Sequence, residues 1–103
     1  MAKILNLESR YEFSGSIFVW HPAKAVQNLR KHRVRFEDAV TVFDVPIFIL
    51  IDATRHDEVR DAVIGFDQTG RLLFVVHIEL EGSSIRIISA RRAEPAEEAL
   101  YAQ

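Results

Sequence analysis

Three strand-length segments separated by short turns decide most of what this chain can fold into. Val59–Phe66, Arg71–Leu80 and Ser84–Arg91 follow one another across Asp67-Gln68-Thr69-Gly70 and Gly82-Ser83. Connections that short cannot carry a crossover, so consecutive segments must lie antiparallel. The apolar run Ile47–Ile51, separated from Val59 by the polar stretch 52–58, reads as a fourth, buried strand. The expectation is a four-stranded antiparallel meander.

The residues before it read as helical. Pro22 suits a first helical turn, where its missing N–H costs nothing. Ala25, Val26 and Leu29 then recur at spacings of three and four up to about His32. A second stripe, Phe36, Ala39, Val40 and Phe43, has Glu37 and Asp38 near its positive end and stops at Pro46. Arg35 offers no capping oxygen, which predicts a weak start. Pro95 followed by 96–101 predicts a short closing helix. Residues 1–17 read as an N-terminal extension. There Tyr11, Phe13, Ile17, Phe18 and Trp20 flank Ser14-Gly15-Ser16 and suggest a small hairpin. The fold class expected is α+β: two N-terminal helices packed on a four-stranded antiparallel sheet, with a short C-terminal helix, in one domain over 1–103.

Composition removes several functions. The 103 residues include no cysteine, so disulfides and thiolate metal sites are excluded, and the four histidines lack metal-ligand spacing. No metal or cofactor is expected. The longest apolar run, Val45–Ile51, is far short of a membrane span, and residues 1–20 carry Glu8 and Glu12 rather than a signal-peptide core. A cytoplasmic protein is expected, without a membrane partner. A net charge of −2 argues against a bulk nucleic-acid binder. Its distribution is more informative: residues 21–35 hold Lys24, Arg30, Lys31, Arg33 and Arg35 with His21 and His32, and no acid. Such a segment can hold phosphates, or can be a solvated helix face.

Register locates further polar groups. A two-residue turn at Gly82-Ser83 pairs Glu81 with Ser84 and sets Ile78 opposite Ile87, Leu80 opposite Ile85 and Glu79 opposite Arg86. Leu72, Phe74, Val76, Ile78 and Leu80 then form the core face, with His77 and Glu79 on the other. Arg86 shares its face with Ile88 and Ala90. A four-residue loop pairing Phe66 with Arg71 sets Arg60 opposite His77; a slip sets it opposite Ile78. The first choice gathers Arg60, His77, Glu79 and Arg86 into one patch with the groups that phosphodiester cleavage needs: a base, an acid and cations for the phosphorane. The bland alternative is a cross-strand ion pair worth about 0.2–1 kcal/mol beside a half-buried structural histidine.

Several motifs, in order, resemble one family. Phe18-x-Trp20-x-Pro22-x-Lys24, then Asn28-x-x-Lys31-His32-x-Val34-x-Phe36-Glu37-x-Ala39, Glu58-x-Arg60, Gly65, Gly70-Arg71-Leu72-Leu73, Val75-Val76-His77, Ile85–Arg91, Glu97 and Tyr101 are similar to the BrnT toxins of type II toxin–antitoxin systems. The resemblance implies a RelE-like fold and a metal-independent endoribonuclease that inhibits translation. It also implies neutralisation by a ribbon-helix-helix antitoxin, with operator DNA contacted only through that partner. By position, Lys24, Lys31, His32, Arg60, Arg86 and Arg91 match the family's polar motif residues. The expected catalytic set is Arg60, His77, Glu79 and Arg86, and the RNA-binding set is Lys24, Lys31, His32 and Arg91. Departures, among them Leu80 and Glu98 where basic residues are common, leave a second expectation: a non-catalytic homologue that only binds the antitoxin.

Overall fold

The computed structural model describes residues 7–45 and 48–103. The fold is α+β, but its sheet has six strands rather than four. The strands are β1 (Ser9–Phe13), β2 (Ser16–Trp20), β3 (Ile49–Asp52), β4 (Asp61–Phe66), β5 (Leu72–Glu79) and β6 (Ile85–Arg92), in spatial order β1-β2-β6-β5-β4-β3. The sheet is mixed. β2 runs parallel to β6, through Phe18–Ile85 and Val19–Arg86, and every other pair is antiparallel. The expected four-stranded antiparallel sheet with two leading helices is therefore overturned. The small hairpin around Ser14-Gly15 precedes the helices and joins the sheet through a contact distant in sequence. The helices are α1 (Pro22–His32), α2 (Phe36–Val40) and α3 (Pro95–Ala102), with a 3-10 turn at Thr41–Asp44 after α2. The expected stop at Pro46 and strand start at Ile47 lie outside the described residues. Among the described residues, no helix is long and apolar enough to cross a membrane.

Local chemistry explains the helix ends. His21 Nδ1 accepts the Ala23 N–H at 3.1 Å, Pro22 opens α1, and Arg33 closes it at φ 61 with its N–H on the Leu29 carbonyl. Arg30, Lys31 and His32 lie at the negative end of the helix dipole. No side chain caps α2, which is five residues long.

The core lies between α2 with its 3-10 turn and one sheet face. Val34, Phe36, Ala39, Val40 and Val42 pack there on Phe18, Trp20, Val63, Leu73, Val75, Ile87 and Ala90. The approach is close enough to require Gly65, where a Cβ would stand 2.9 Å from Val42 Cγ1. α1 is different. Only Asn28 is buried in it, and its amide substitutes for a strand. Nδ2 donates to the Ala90 carbonyl at 2.8 Å and the Val34 carbonyl at 3.0 Å, while Oδ1 accepts the Ala90 N–H at 3.0 Å. Asn28 thereby satisfies the β6 edge beyond the point where β2 turns away.

Both hairpin registers differ from expectation. The β5–β6 connection has three residues, closed by Leu80 N–H on the Ser84 carbonyl, with Gly82 and Ser83 at φ 80 and 71. Ile78 consequently faces Arg86 and Glu79 faces Ile85; the Glu79–Arg86 pair does not form. A bulge then restores the offset, because His77 faces Ile87 while Val76 faces Ser89, leaving Ile88 as the extra residue. The β4–β5 loop also has one more residue than supposed. Asp67, buried, accepts N–H groups of Thr69 and Arg71 and the Arg71 guanidinium, and its own N–H donates to the Arg71 carbonyl. Asp61 then faces His77. The faces of β5 are also exchanged: Leu73, Val75 and His77 are buried against the helices, and Phe74, Val76 and Ile78 look outward.

Candidate functional site

The sheet face away from α2 is only partly covered. α3 crosses one end, where Tyr101 meets Phe66 edge-on at 5.4 Å. Beside α3 the face opens as a groove of about 520 Å³. Its floor is Phe74, Val76 and Ser89, and its sides are Arg60, Arg91, Glu97 and residues 52–55. A second depression of about 240 Å³, lined by Lys24, Gln27, Lys31, His32 and Ile88, meets the first at Ser89. The amide of Asn28 makes this junction by seating α1 on the edge of β6.

Three arginines of this face, Arg60, Arg86 and Arg91, are each held by a carboxylate, whereas Arg55 lines the groove without a carboxylate partner among the described residues. Arg91 is gripped by Glu97 of α3, with Nη1 and Nη2 each 2.7 Å from a carboxylate oxygen, and its guanidinium lies 4.4 Å from the Phe74 ring centre. The Glu97 hydrogen bond holds Arg91 more firmly protonated than usual. Glu97 also accepts the Glu94 N–H in a capping box, so one carboxylate starts α3 and orients Arg91. Arg60 lies one residue before β4. Continuing the register puts it on the open face opposite Ile78, where its Nε and Nη2 donate to Glu58 at 3.2 and 3.1 Å. Arg86, also opposite Ile78, donates Nε and Nη2 to Glu8 at 2.6 and 2.8 Å. That contact lowers the Glu8 carboxyl pKa and raises that of Arg86.

The expected residues thus divide. Arg60, Arg86 and Arg91 share the open face, and Lys24, Lys31 and His32 border it from α1. His77 and Glu79 do not join them. His77 is 2% exposed, edge-on to Phe43 at 4.9 Å and turned towards the helices. Burial lowers its pKa, against smaller opposing effects of the Val75 carbonyl, Asp61 and Glu79. Glu79 lies on the same side beyond the helices, beside Ser83 and Ile85. The expected patch of Arg60, His77, Glu79 and Arg86 is therefore corrected, because each hairpin loop is one residue longer than the pairing assumed.

The histidine that reaches the interface is His32. Desolvation lowers its pKa, and the cations Lys31 and Arg91 lower it further, so the imidazole is neutral near pH 7. A neutral imidazole among cations can accept a proton beside a bound anion. Among the described residues no three His, Asp or Glu side chains gather as a metal site. Sequence reasoning missed Glu8, Ser89 and the amide role of Asn28. Only Asn28 left a signal, being three or four residues from Lys24 and Lys31 and so on their side of the helix.

A family model described as "Ribonuclease toxin, BrnT, of type II toxin-antitoxin system" matches residues 20–97. The crystal structure of the Brucella abortus ribonuclease toxin, BrnT, is 22% identical, with 73% of this chain and 92% of that chain covered at a TM-score of 0.58. At that identity the likeness bears on fold alone. A comparison with curated proteins returns no match.

Proposed function

Because the chain belongs to the BrnT family of ribonuclease toxins from type II toxin–antitoxin systems, we propose that the groove on its open sheet face holds and cleaves RNA. The observation that carries this reading is the convergence of Lys24, Lys31, His32, Arg60 and Arg91 on two depressions that share Ser89. These side chains come from three separate segments, and a phosphate backbone crossing Ser89 would meet all of them. Lys24 and Lys31 bind phosphates. His32 accepts the ribose 2′-hydroxyl proton as the 2′-oxygen bonds to phosphorus. Arg60 and Arg86 stabilise the charge that develops on the phosphoryl oxygens. The phosphorus–5′-oxygen bond then breaks, and Lys31 protonates the leaving oxygen. No metal is required by this scheme. The target is cytoplasmic RNA, and its cleavage inhibits translation.

As a member of this family the chain has an antitoxin partner. We take that partner to be a ribbon-helix-helix protein whose acidic side chains cover the groove cations, operator DNA being contacted only through it. One observation favours a second reading, a homologue that binds antitoxin without cleaving: Arg60, Arg86 and Arg91 are each already paired with a carboxylate of the chain itself.

Expression without antitoxin separates the readings. Growth arrest and transcript cleavage are expected for the natural sequence, and relief is expected for His32→Ala, Lys31→Ala and Arg60→Ala. Cleavage by purified protein should decline on acidification, with an inflection below the usual histidine value of 6.5 that His32→Ala abolishes. Folded variants that remain fully toxic would remove the site assignment. An inert natural sequence that still binds its antitoxin would establish the second reading.

A further inference from the structure

Of the three carboxylate-paired arginines at the candidate interface, Arg86 alone is held by a carboxylate from outside the family-matched span. Glu58 on Arg60 and Glu97 on Arg91 lie within residues 20–97, whereas Glu8 precedes them. Glu8 stands just before β1, an edge strand whose partner among the described residues is β2. The registers Arg10–Val19 and Val19–Arg86 put β1 one strand beyond Arg86's neighbour, on a line from which Glu8 reaches the guanidinium. Its two oxygens engage Nε and Nη2 at 2.6 and 2.8 Å, the planar two-pronged mode in which arginine binds a phosphate.

We propose that Glu8 occupies a phosphate subsite of the interface, its carboxylate standing on Arg86 where an RNA phosphate would stand, with β1 as the strap that holds it there. The proposal rests on the RNA reading above and adds a control that the family-matched residues do not contain. A phosphate approaching Arg86 meets a neutral pair with an anion on its near side. It must displace Glu8 to use the fork. Once Glu8 is neutral or absent, the cation is available, and one more phosphate contact forms.

The test uses the full chain as Glu8→Gln and Glu8→Ala, with backbone amide spectra showing that the β1–β2 hairpin persists. Binding is measured to a single-stranded RNA whose 2′-positions are methylated, so that it cannot be cleaved. One added phosphate contact should steepen the slope of log affinity against log salt by about 0.7, a gain of about eightfold at roughly 0.05 M salt relative to about 1 M. Equal or weaker binding by both variants would overturn the proposal. Inorganic phosphate provides the second reading, through the Arg86 Nε resonance. A shift in Glu8→Gln and none in the natural sequence is expected. A phosphate response without RNA binding keeps the subsite and rejects RNA as its ligand. RNA cleavage by all three proteins with no Arg86 response rejects the subsite and leaves the RNA reading intact.

Discussion

Replacing Asn28 by alanine should separate the helix that carries Lys24, Lys31 and His32 from the strand that carries Ser89 and Arg91. The side chain makes three hydrogen bonds at 2.8–3.0 Å, all to backbone groups and all buried. Each contributes about 1 kcal/mol net, and the Ala90 N–H would be left buried without an acceptor, so a loss of about 3 kcal/mol is expected. For a chain of 103 residues, that lowers the melting temperature by roughly 10–20 °C. Chemical denaturation at pH 7 gives the free energy, and hydrogen exchange at Ala90 shows whether the predicted bond was the one lost. Asn28→Asp sharpens the test. It keeps the acceptor but aims a carboxylate at two carbonyl oxygens, so it should be worse than alanine at pH 7 and recover in part when acid protonates it. A loss below about 1 kcal/mol with Ala90 still protected would refute this account of how α1 is seated.

Two further outcomes follow from the core. His77 has its pKa lowered by burial, so below about 6.5 the unfolded chain binds a proton that the folded chain refuses; stability should fall with pH there by up to about 1.4 kcal/mol per unit. His77→Leu should flatten that dependence between pH 7 and 5 in denaturant titrations, and equal slopes would count against it. Gly65→Ala should cost about 1–3 kcal/mol, because its Cβ would press on Val42 at 2.9 Å and Phe48 at 3.2 Å; a neutral effect in thermal denaturation would show that the neighbours can yield.

What could be read from the sequence was what is local along the chain. Pro22 and the three-and-four spacing located α1, and Pro95 located α3, because capping and periodicity act within a few residues. Antiparallel pairing of β4, β5 and β6 was legible because short connections allow little else. The pairing of β2 with β6 was not, since nothing near Phe18 or Val19 marks a partner so distant. The exact registers were also out of reach. A two-residue turn at Gly82-Ser83 and the observed three-residue loop differ by whether Glu81 belongs to the strand, and its side chain does not decide that. The exchange of faces on β5 has a plainer cause. Leu72, Phe74 and Val76 are as apolar as Leu73 and Val75, so hydrophobicity could not tell which side the helices would cover. Lys24, Lys31, His32 and Arg91 meet around Ser89 by way of an asparagine amide, whose bond to a distant strand leaves no periodic trace.

The bulge at Ile88 sets the side of the sheet from which two charges of β6 project. Arg86 and Arg91 are an odd number of residues apart, and an unbroken β6 would send them to opposite sides. The surplus residue is what turns both outward, so the two charges owe their common side to strand length rather than to composition. Deleting Ile88 would remove only one aliphatic group, yet it would drive one guanidinium into the hydrophobic layer.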